Sequence, residues 1–254
     1  TYQQKKCVKW WKTQLKISKM NNLEIKELFY KNKNYSKIKE LLKNSNDSWS
    51  FNILGKIALN EQNEKLALEY FEKANNVYAC AYCKFLSGEL EEAKILLLLL
   101  QDISSARNWL LSIIGLLLNE FLIEPTYFEI RNYYEQDLEM LFKFKQKEFI
   151  EKIIKKNSFL ENYNKEIYKY SARVLLNNNY LEQSKLLLKK SLDIFYNDPE
   201  THFLLGEIYE KENNIYMAET HYKKAIEVAG EYEPAKQKLN HLSNWLYNLY
   251  YRVK

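Results

Sequence analysis

Two sets of residues in this chain have types and spacings that could do chemistry. Cys80 and Cys83 form a Cys-x-x-Cys pair, a spacing that can supply half of a tetrahedral zinc site or run thiol–disulfide exchange. A closed zinc site needs four ligands, and the sequence adds only Cys7, with no histidine nearby. A redox pair opens a helix that follows a strand, whereas the pattern around these cysteines is helical on both sides. On a predicted helix over 77–87 the two thiols lie one turn apart, flanked by Ala79 and Ala81, as small core residues do. The second set is His202, His221 and His241, the only three histidines, each inside a predicted helix near the C-terminus. Catalysis needs a base, a nucleophile or a metal held in mutual geometry. No glycine-rich phosphate loop, Gly-x-Ser-x-Gly turn or His-Glu-x-x-His pattern accompanies these histidines. The expectation is a non-catalytic chain without metal or cofactor, and the few cysteines with no secretory signal point to a cytoplasmic location.

The elements that would position these residues are helices. Of 254 residues, 46% are hydrophobic and 28% charged, an ordinary soluble composition that excludes wholesale disorder. Five glycines and three prolines leave little punctuation for an all-β fold. Apolar residues recur at three- and four-residue spacing over 22–32, 35–45, 49–60, 64–75 and 77–87. The same pattern continues over 89–101, 104–122, 126–144, 146–157, 160–177, 180–195, 200–212, 215–229 and 233–250. Asparagine clusters such as Asn177-Asn178-Asn179 and Asn213-Asn214 stand at the breaks, because asparagine tolerates the left-handed conformation. Pro125 and Pro199 suit helix first turns.

Charge is distributed unevenly. The net charge of +5 comes from 38 Lys and Arg against 33 Asp and Glu. Lys5, Lys6, Lys9, Lys12, Lys16 and Lys19 fall in an N-terminal stretch with no acid, which leaves 32 bases against 33 acids in residues 20–254. Nucleic acid is therefore not an expected partner. Residues 1–19, with Val8, Trp10, Trp11, Leu15 and Ile17, read as a basic amphipathic leader or N-terminal helix, and any membrane contact would rest on them alone. The chain opens at Thr1, and Met20 offers a start for the first repeat described below; residues 1–19 are expected to be a cap or a non-native leader. The apolar runs Ile95–Leu100 and Trp109–Leu118 fall short of the roughly 20 residues a spanning helix needs. They are expected to be buried, or, if left exposed, to be a surface for self-assembly.

An internal repeat decides the fold. Gly206, Ala218, Tyr222 and Ala225 align, 34 residues upstream, with Ala172, Ser184, Leu188 and Ser191. Gly55, Ala67, Phe71 and Ala74 keep the same internal spacings. Small residues recur where two helices must approach closely, with a large one between them. On these residues the chain resembles the tetratricopeptide repeat family. Weaker copies fall at Met20–Ser45, through Phe29, Tyr35, Ile38 and Leu42, and at Val77–Leu100, through Ala81, Gly88 and Ala93. The resemblance implies an all-α solenoid of helix–turn–helix repeats, wound as a right-handed superhelix and closed by a capping helix carrying Leu239, Leu242, Trp245, Leu246 and Leu249. The expected division is a leader over 1–19, repeats over 20–101, degenerate repeats or a helical insertion over 102–160, and repeats plus cap over 161–254.

The resemblance also implies that the first helix of each repeat lines a concave groove for an extended peptide or partner helix. Carried onto this chain, the groove residues are Asn52, Lys56 and Asn60, then Tyr78, Tyr82 and Phe85, then Lys169, Arg173 and Asn177. Asparagine can pair with a peptide backbone through both donor and acceptor, and arginine can grip a carboxylate at two points. Reversing the charges of Lys169 and Arg173 is then expected to weaken partner binding while leaving helicity intact. The order Asn52 then Lys56 reverses the spacing used by the carboxylate-clamp subclass, so chaperone tails are not an expected ligand. The favoured function is a protein-binding scaffold. Its alternatives are a structural subunit assembling through helices 95–122, or the helical arm of a larger enzyme or peptide-responsive regulator.

Overall fold

A computed structural model describes residues 23–252, with side chains through Leu242. The leader expected over 1–19, together with Cys7, lies outside the described residues, as do the side chains of Trp245, Leu246 and Leu249. Every regular element among the described residues is helical, and the chain forms two compact units, one running through Ser87 and the other from Gly88 onward.

The first unit contains α1 (residues 23–32, its last turn Leu28–Asn32 π-helical), α2 (Tyr35–Leu42), α3 (Ser48–Asn60), α4 (Glu64–Lys73) and α5 (Val77–Ser87). Three of its four turns follow one rule. Lys33, Gln62 and Asn75 take left-handed backbone conformations with φ of 49°, 61° and 52°. The asparagine that follows each then serves two helices. The N–H of Asn63 closes α3 on the Ala58 carbonyl at 2.9 Å, and its side chain caps α4 by accepting from the Leu66 N–H at 3.0 Å. Asn34 and Asn76 repeat the arrangement, as Asn214 does in the second unit. Groups that helix ends leave unpaired are thereby satisfied without glycine.

The second unit runs through α6 (Leu90–Leu99), α7 (Ser105–Leu118), α8 (Tyr127–Lys143), α9 (Lys147–Lys155), the short α10 (Asn157–Leu160), α11 (Ile167–Asn177), α12 (Leu181–Ile194), α13 (Pro199–Lys211), α14 (Ile215–Ala229) and α15 (Glu233–Arg252). Helices α11 with α12, and α13 with α14, pair as hairpins, α15 packs on α14, and α8 packs on both α9 and α11. Leu242 of α15 joins Ala218, Tyr222 and Ala225 of α14 in one apolar cluster, so the expected cap is in place as far as its side chains are described. Asp198 caps α13 with Pro199 in its first turn, as expected. Pro125 instead lies outside its helix, because Thr126 and Glu129 form a reciprocal capping box that starts α8 at Tyr127. The helix expected over 104–122 stops at Leu118, where Asn119 adopts φ 58°. The one expected over 160–177 is broken where Asn164 turns its side chain onto the Glu166 N–H at 2.9 Å.

One packing rule holds the hairpins together. A Cβ on Gly55 would lie 2.6 Å from the Phe71 ring, and one on Gly206 would lie 2.5 Å from the Tyr222 ring. Both rings are buried, as are the small residues around them, Ala67, Ala74, Ala218 and Ala225. In the hairpin between, Ala172 faces Ser184 and Leu188, and the Ser184 hydroxyl donates to the Ala172 carbonyl at 2.7 Å. Each buried ring contributes roughly 1.5–3 kcal/mol, and only a glycine lets the facing helix come close enough to cover it. Gly55→Ala and Gly206→Ala are each expected to lower unfolding free energy in urea by about 1–3 kcal/mol through overpacking, and Gly55→Leu by more. An unchanged transition would mean that the helices do not meet this closely.

Candidate partner-binding faces

In the first unit, α3 carries Asn52, Lys56 and Asn60 one turn apart. Lys56 and Asn60 are exposed, and the Asn60 amide donates to the Lys56 carbonyl at 3.1 Å. Asn52 is engaged locally: it donates to the Ser48 carbonyl at 2.7 Å and accepts from Asn76 at 2.6 Å, which fastens α3 to the start of α5. Two residues beyond Asn76, the half-buried rings of Tyr78 and Tyr82 stack with centroids 6.5 Å apart. Phe85 is a correction. It is fully buried beneath Tyr82 and packs in the interior, so it cannot line a surface. Cys80 and Cys83 on the same helix are also buried, and burial pushes the Cys83 thiol up to about 12, far from the thiolate that reactivity requires.

In the second unit the expected cations are not presented to solvent. Lys169 is buried and pairs with Glu166 at 2.9 Å, Asp198 at 3.1 Å and Glu200 at 3.3 Å. Burial alone would strip its proton, but these carboxylates more than offset that and hold its pKa above the ordinary lysine value. Arg173 gives one arm of its guanidinium to Glu135 of α8 at 2.5 Å and the other to Glu200 of α13 at 2.6 Å. Asn177 is exposed and donates to Glu139 of α8 at 2.9 Å, beside Asn178, which donates to the same carboxylate. The three residues do share one face of α11, as their spacing requires. That face is committed to neighbouring helices, so Lys169 and Arg173 are not free to hold a partner's carboxylate.

Glu135, Glu139 and Glu200 went unread in the sequence. A signal for two of them was present, since Glu135 and Glu139 repeat the four-residue step of Arg173 and Asn177 at a constant offset. Helix α8 is fixed from beneath by buried polar contacts. The Tyr134 hydroxyl meets Asn157 at 2.9 Å and Ser171 at 2.6 Å, and the Trp109 indole donates to Asp137 at 2.7 Å. Between α8 and the end of α11 lies an open cleft of about 590 Å3, lined by Gln136, Glu139, Met140, Phe142, Lys143 and Asn178.

The histidines sit between α13 and α14. His202 is buried, and its Nδ1 lies 3.2 Å from Nδ1 of His221, so one ring donates and the other accepts. Tyr209 stacks on His221 at 5.3 Å, with Lys185 over the Tyr209 ring 4.9 Å from its centroid. Burial, reinforced by the neighbouring His202, lowers His221 to about 4. His202 is lowered too, first by burial and then by Lys224.

Residues 199–232, which are this α13–α14 hairpin and the turn after it, match the family model of the tetratricopeptide repeat. The α13–α14 hairpin is thus similar to a tetratricopeptide repeat. No curated protein matches its sequence. Among solved structures it is similar to the crystal structure of the APC/C hetero-tetramer Cut9–Hcn1, at 16% identity and a TM-score of 0.36 over 87% of this chain and 48% of that one. The chain thus spans about half the length of the chain it resembles. Among the described residues the chain is all-α and built largely of paired helices. Among the described residues no helix is long and apolar enough to cross a membrane.

Within the second unit the α11 cations are structural. Lys169→Glu with Arg173→Glu places new carboxylates against Glu135, Asp198 and Glu200. Contrary to the expectation of intact helicity, the double variant should lose cooperative unfolding or melt far below the parent in circular dichroism. Retained stability would show that these pairs contribute little. The histidine pair generates a pH dependence. Because the folded pKa of His221 lies below the ordinary value near 6.5, protons bind preferentially to the unfolded chain as pH falls from about 6.5 toward 4. Stability should be full above that window and drop by about 1 kcal/mol at pH 5, allowing for partial solvent access. His221→Phe should flatten the urea-midpoint profile between pH 6.5 and 5, and a parent profile already flat there would refute the assignment.

Proposed function

We propose that this tetratricopeptide-repeat chain is a non-catalytic, cytoplasmic scaffold that takes an extended peptide of a partner protein against the first helices of its repeats. The observation that carries the reading is the open cleft on α8 and α11, next to hairpins built to the repeat pattern. Its lining suits an extended peptide. Met140 and Phe142 offer apolar contact, while Gln136 and Asn178 bring amide groups that can meet a backbone at both donor and acceptor. In the first unit, Lys56, Asn60 and the Tyr78–Tyr82 pair form a second candidate contact, where ring faces and a cation flank polar amides. Free thiols at Cys80 and Cys83 support the cytoplasmic placement.

Selection of a random peptide library on the full chain tests the reading. Enriched peptides are expected to share an apolar residue between polar ones. Their affinity should fall at least about tenfold on Met140→Glu, the loss typical of a central contact, with the circular dichroism spectrum unchanged. Peptides that bind Met140→Glu as well as the parent would move the site off α8. If those peptides instead respond to Lys56→Glu or Tyr78→Ala, the groove of the first unit takes the ligand.

A further inference from the structure

Helix α6 is covered on one side only. Leu90, Ala93 and Leu97 are buried, but Ile95, Leu98 and Leu99 are 56%, 56% and 71% exposed, and Ile103 just beyond the helix is 73% exposed. Positions 95, 98 and 99 fall on one face over a single turn, so these are not scattered surface residues. Helix α4 shows the ordinary alternative, with Lys65, Glu69, Glu72 and Lys73 outward and Ala67 and Phe71 inward. The apolar run that continues into α7 behaves differently. Trp109, Leu110, Ile113 and Ile114 are wholly buried, so within 95–122 self-assembly could not use α7. Leaving aliphatic side chains in water forgoes the free energy of burying them, and a contiguous apolar stripe of this kind marks an interaction surface.

The charge around the stripe says what covers it. Glu91 and Glu92 precede Ile95 by one turn, and Asp102 stands between Leu99 and Ile103. Glu120, next to Phe121 at 74% exposure, is tied to this helix through Lys94. Lys94 and Arg107 are turned inward. Lys94 bridges Glu91 at 2.6 Å and Glu120 at 2.9 Å, and Arg107 donates from Nε to the Leu97 carbonyl at 2.8 Å. Over residues 89–103 the sequence places four acids against one base. A second copy of the chain fits poorly, because a two-fold contact sets a patch against itself. Both ends of the stripe are acidic, so parallel and antiparallel pairing alike would bring carboxylate against carboxylate.

We propose that the outward face of α6 docks a basic amphipathic helix of a partner protein. The partner's apolar side covers Ile95, Leu98 and Leu99 while its lysines or arginines meet Glu91, Asp102 and the rim beside Phe121. The mode is helix-on-helix, separate from the peptide cleft on α8 and α11, and does not rest on it.

A labelled amphipathic peptide of leucine and lysine, about five helical turns long, is the probe, with a leucine–glutamate peptide of the same pattern as control. Fluorescence anisotropy with the full chain should show binding of the lysine peptide, weakened by salt, and none of the glutamate peptide. Leu98→Asn with Leu99→Asn keeps every charge and should weaken binding at least about tenfold. Glu91→Gln with Asp102→Asn keeps the apolar stripe and should weaken it about fivefold. Circular dichroism establishes that both variants fold. An affinity unmoved by the asparagine pair would reduce the contact to charge attraction elsewhere and overturn the proposal. Light scattering gives the remaining outcome: a dimer of the parent that dissociates in the asparagine variant would put a second copy on this face and overturn it as well.

Discussion

The close approach of two helices over a glycine is the contact on which both units depend. A hairpin whose helices stand one methyl group further apart would leave Phe71 or Tyr222 in a gap, and a ring with partners on one side loses much of its dispersion energy. With the ring covered, the hairpin has one finished side and one apolar side, and the next hairpin must finish it. Repeat stacking therefore follows from the glycine–ring contact. Polar links, such as Arg173 between α8 and α13, then join one hairpin to its neighbours.

The fold was legible because close packing leaves its mark on residue size. Gly55, Gly206 and their alanine and serine companions read as a spacing code before any geometry was known, and the hairpins use them as read. Helix ends were legible through asparagine, although the sequence reading took it for a tolerant turn residue. Its double duty, closing one helix and capping the next, needed the backbone to be seen. The surface was less legible. Lys169 and Arg173 have the spacing of a binding face and also that of an ion-paired seam, and only the carboxylates arriving from α8 and α13 decide between them. Phe85 shares a helical stripe with Tyr78 and Tyr82, and a small rotation of the helix is enough to bury one and half-expose the others. The uniform run of leucines in α6 has no amphipathic pattern to read, so which side is bare becomes visible only when neighbours cover the other.

Charge in this protein separates what is used internally from what is offered outward. Along α11, Lys169 and Arg173 both find carboxylates from adjoining helices, and burial strengthens those pairs against salt. Around α6, Lys94 holds Glu91 and Glu120 on one side, and Asp102 stands exposed at the end of the apolar stripe. The cleft beside Met140 and Phe142 lies between these regimes, with Glu139 already engaged by two asparagine amides. A ligand there would meet a surface whose donors and acceptors are largely fixed in position before it arrives, which reduces the ordering cost of binding.

The two arms of Arg173 have a mechanical consequence. Stacked hairpins flex by opening the gap between successive helices, where apolar contacts slide with little penalty and polar links resist. At Arg173 one planar group is fastened to α8 on one side and to α13 on the other. Widening either gap must break a charge-assisted bond whose strength falls steeply with length and angle. Bending of the second unit is therefore stiff across α8, α11 and α13, like a spring with three adjacent coils soldered together.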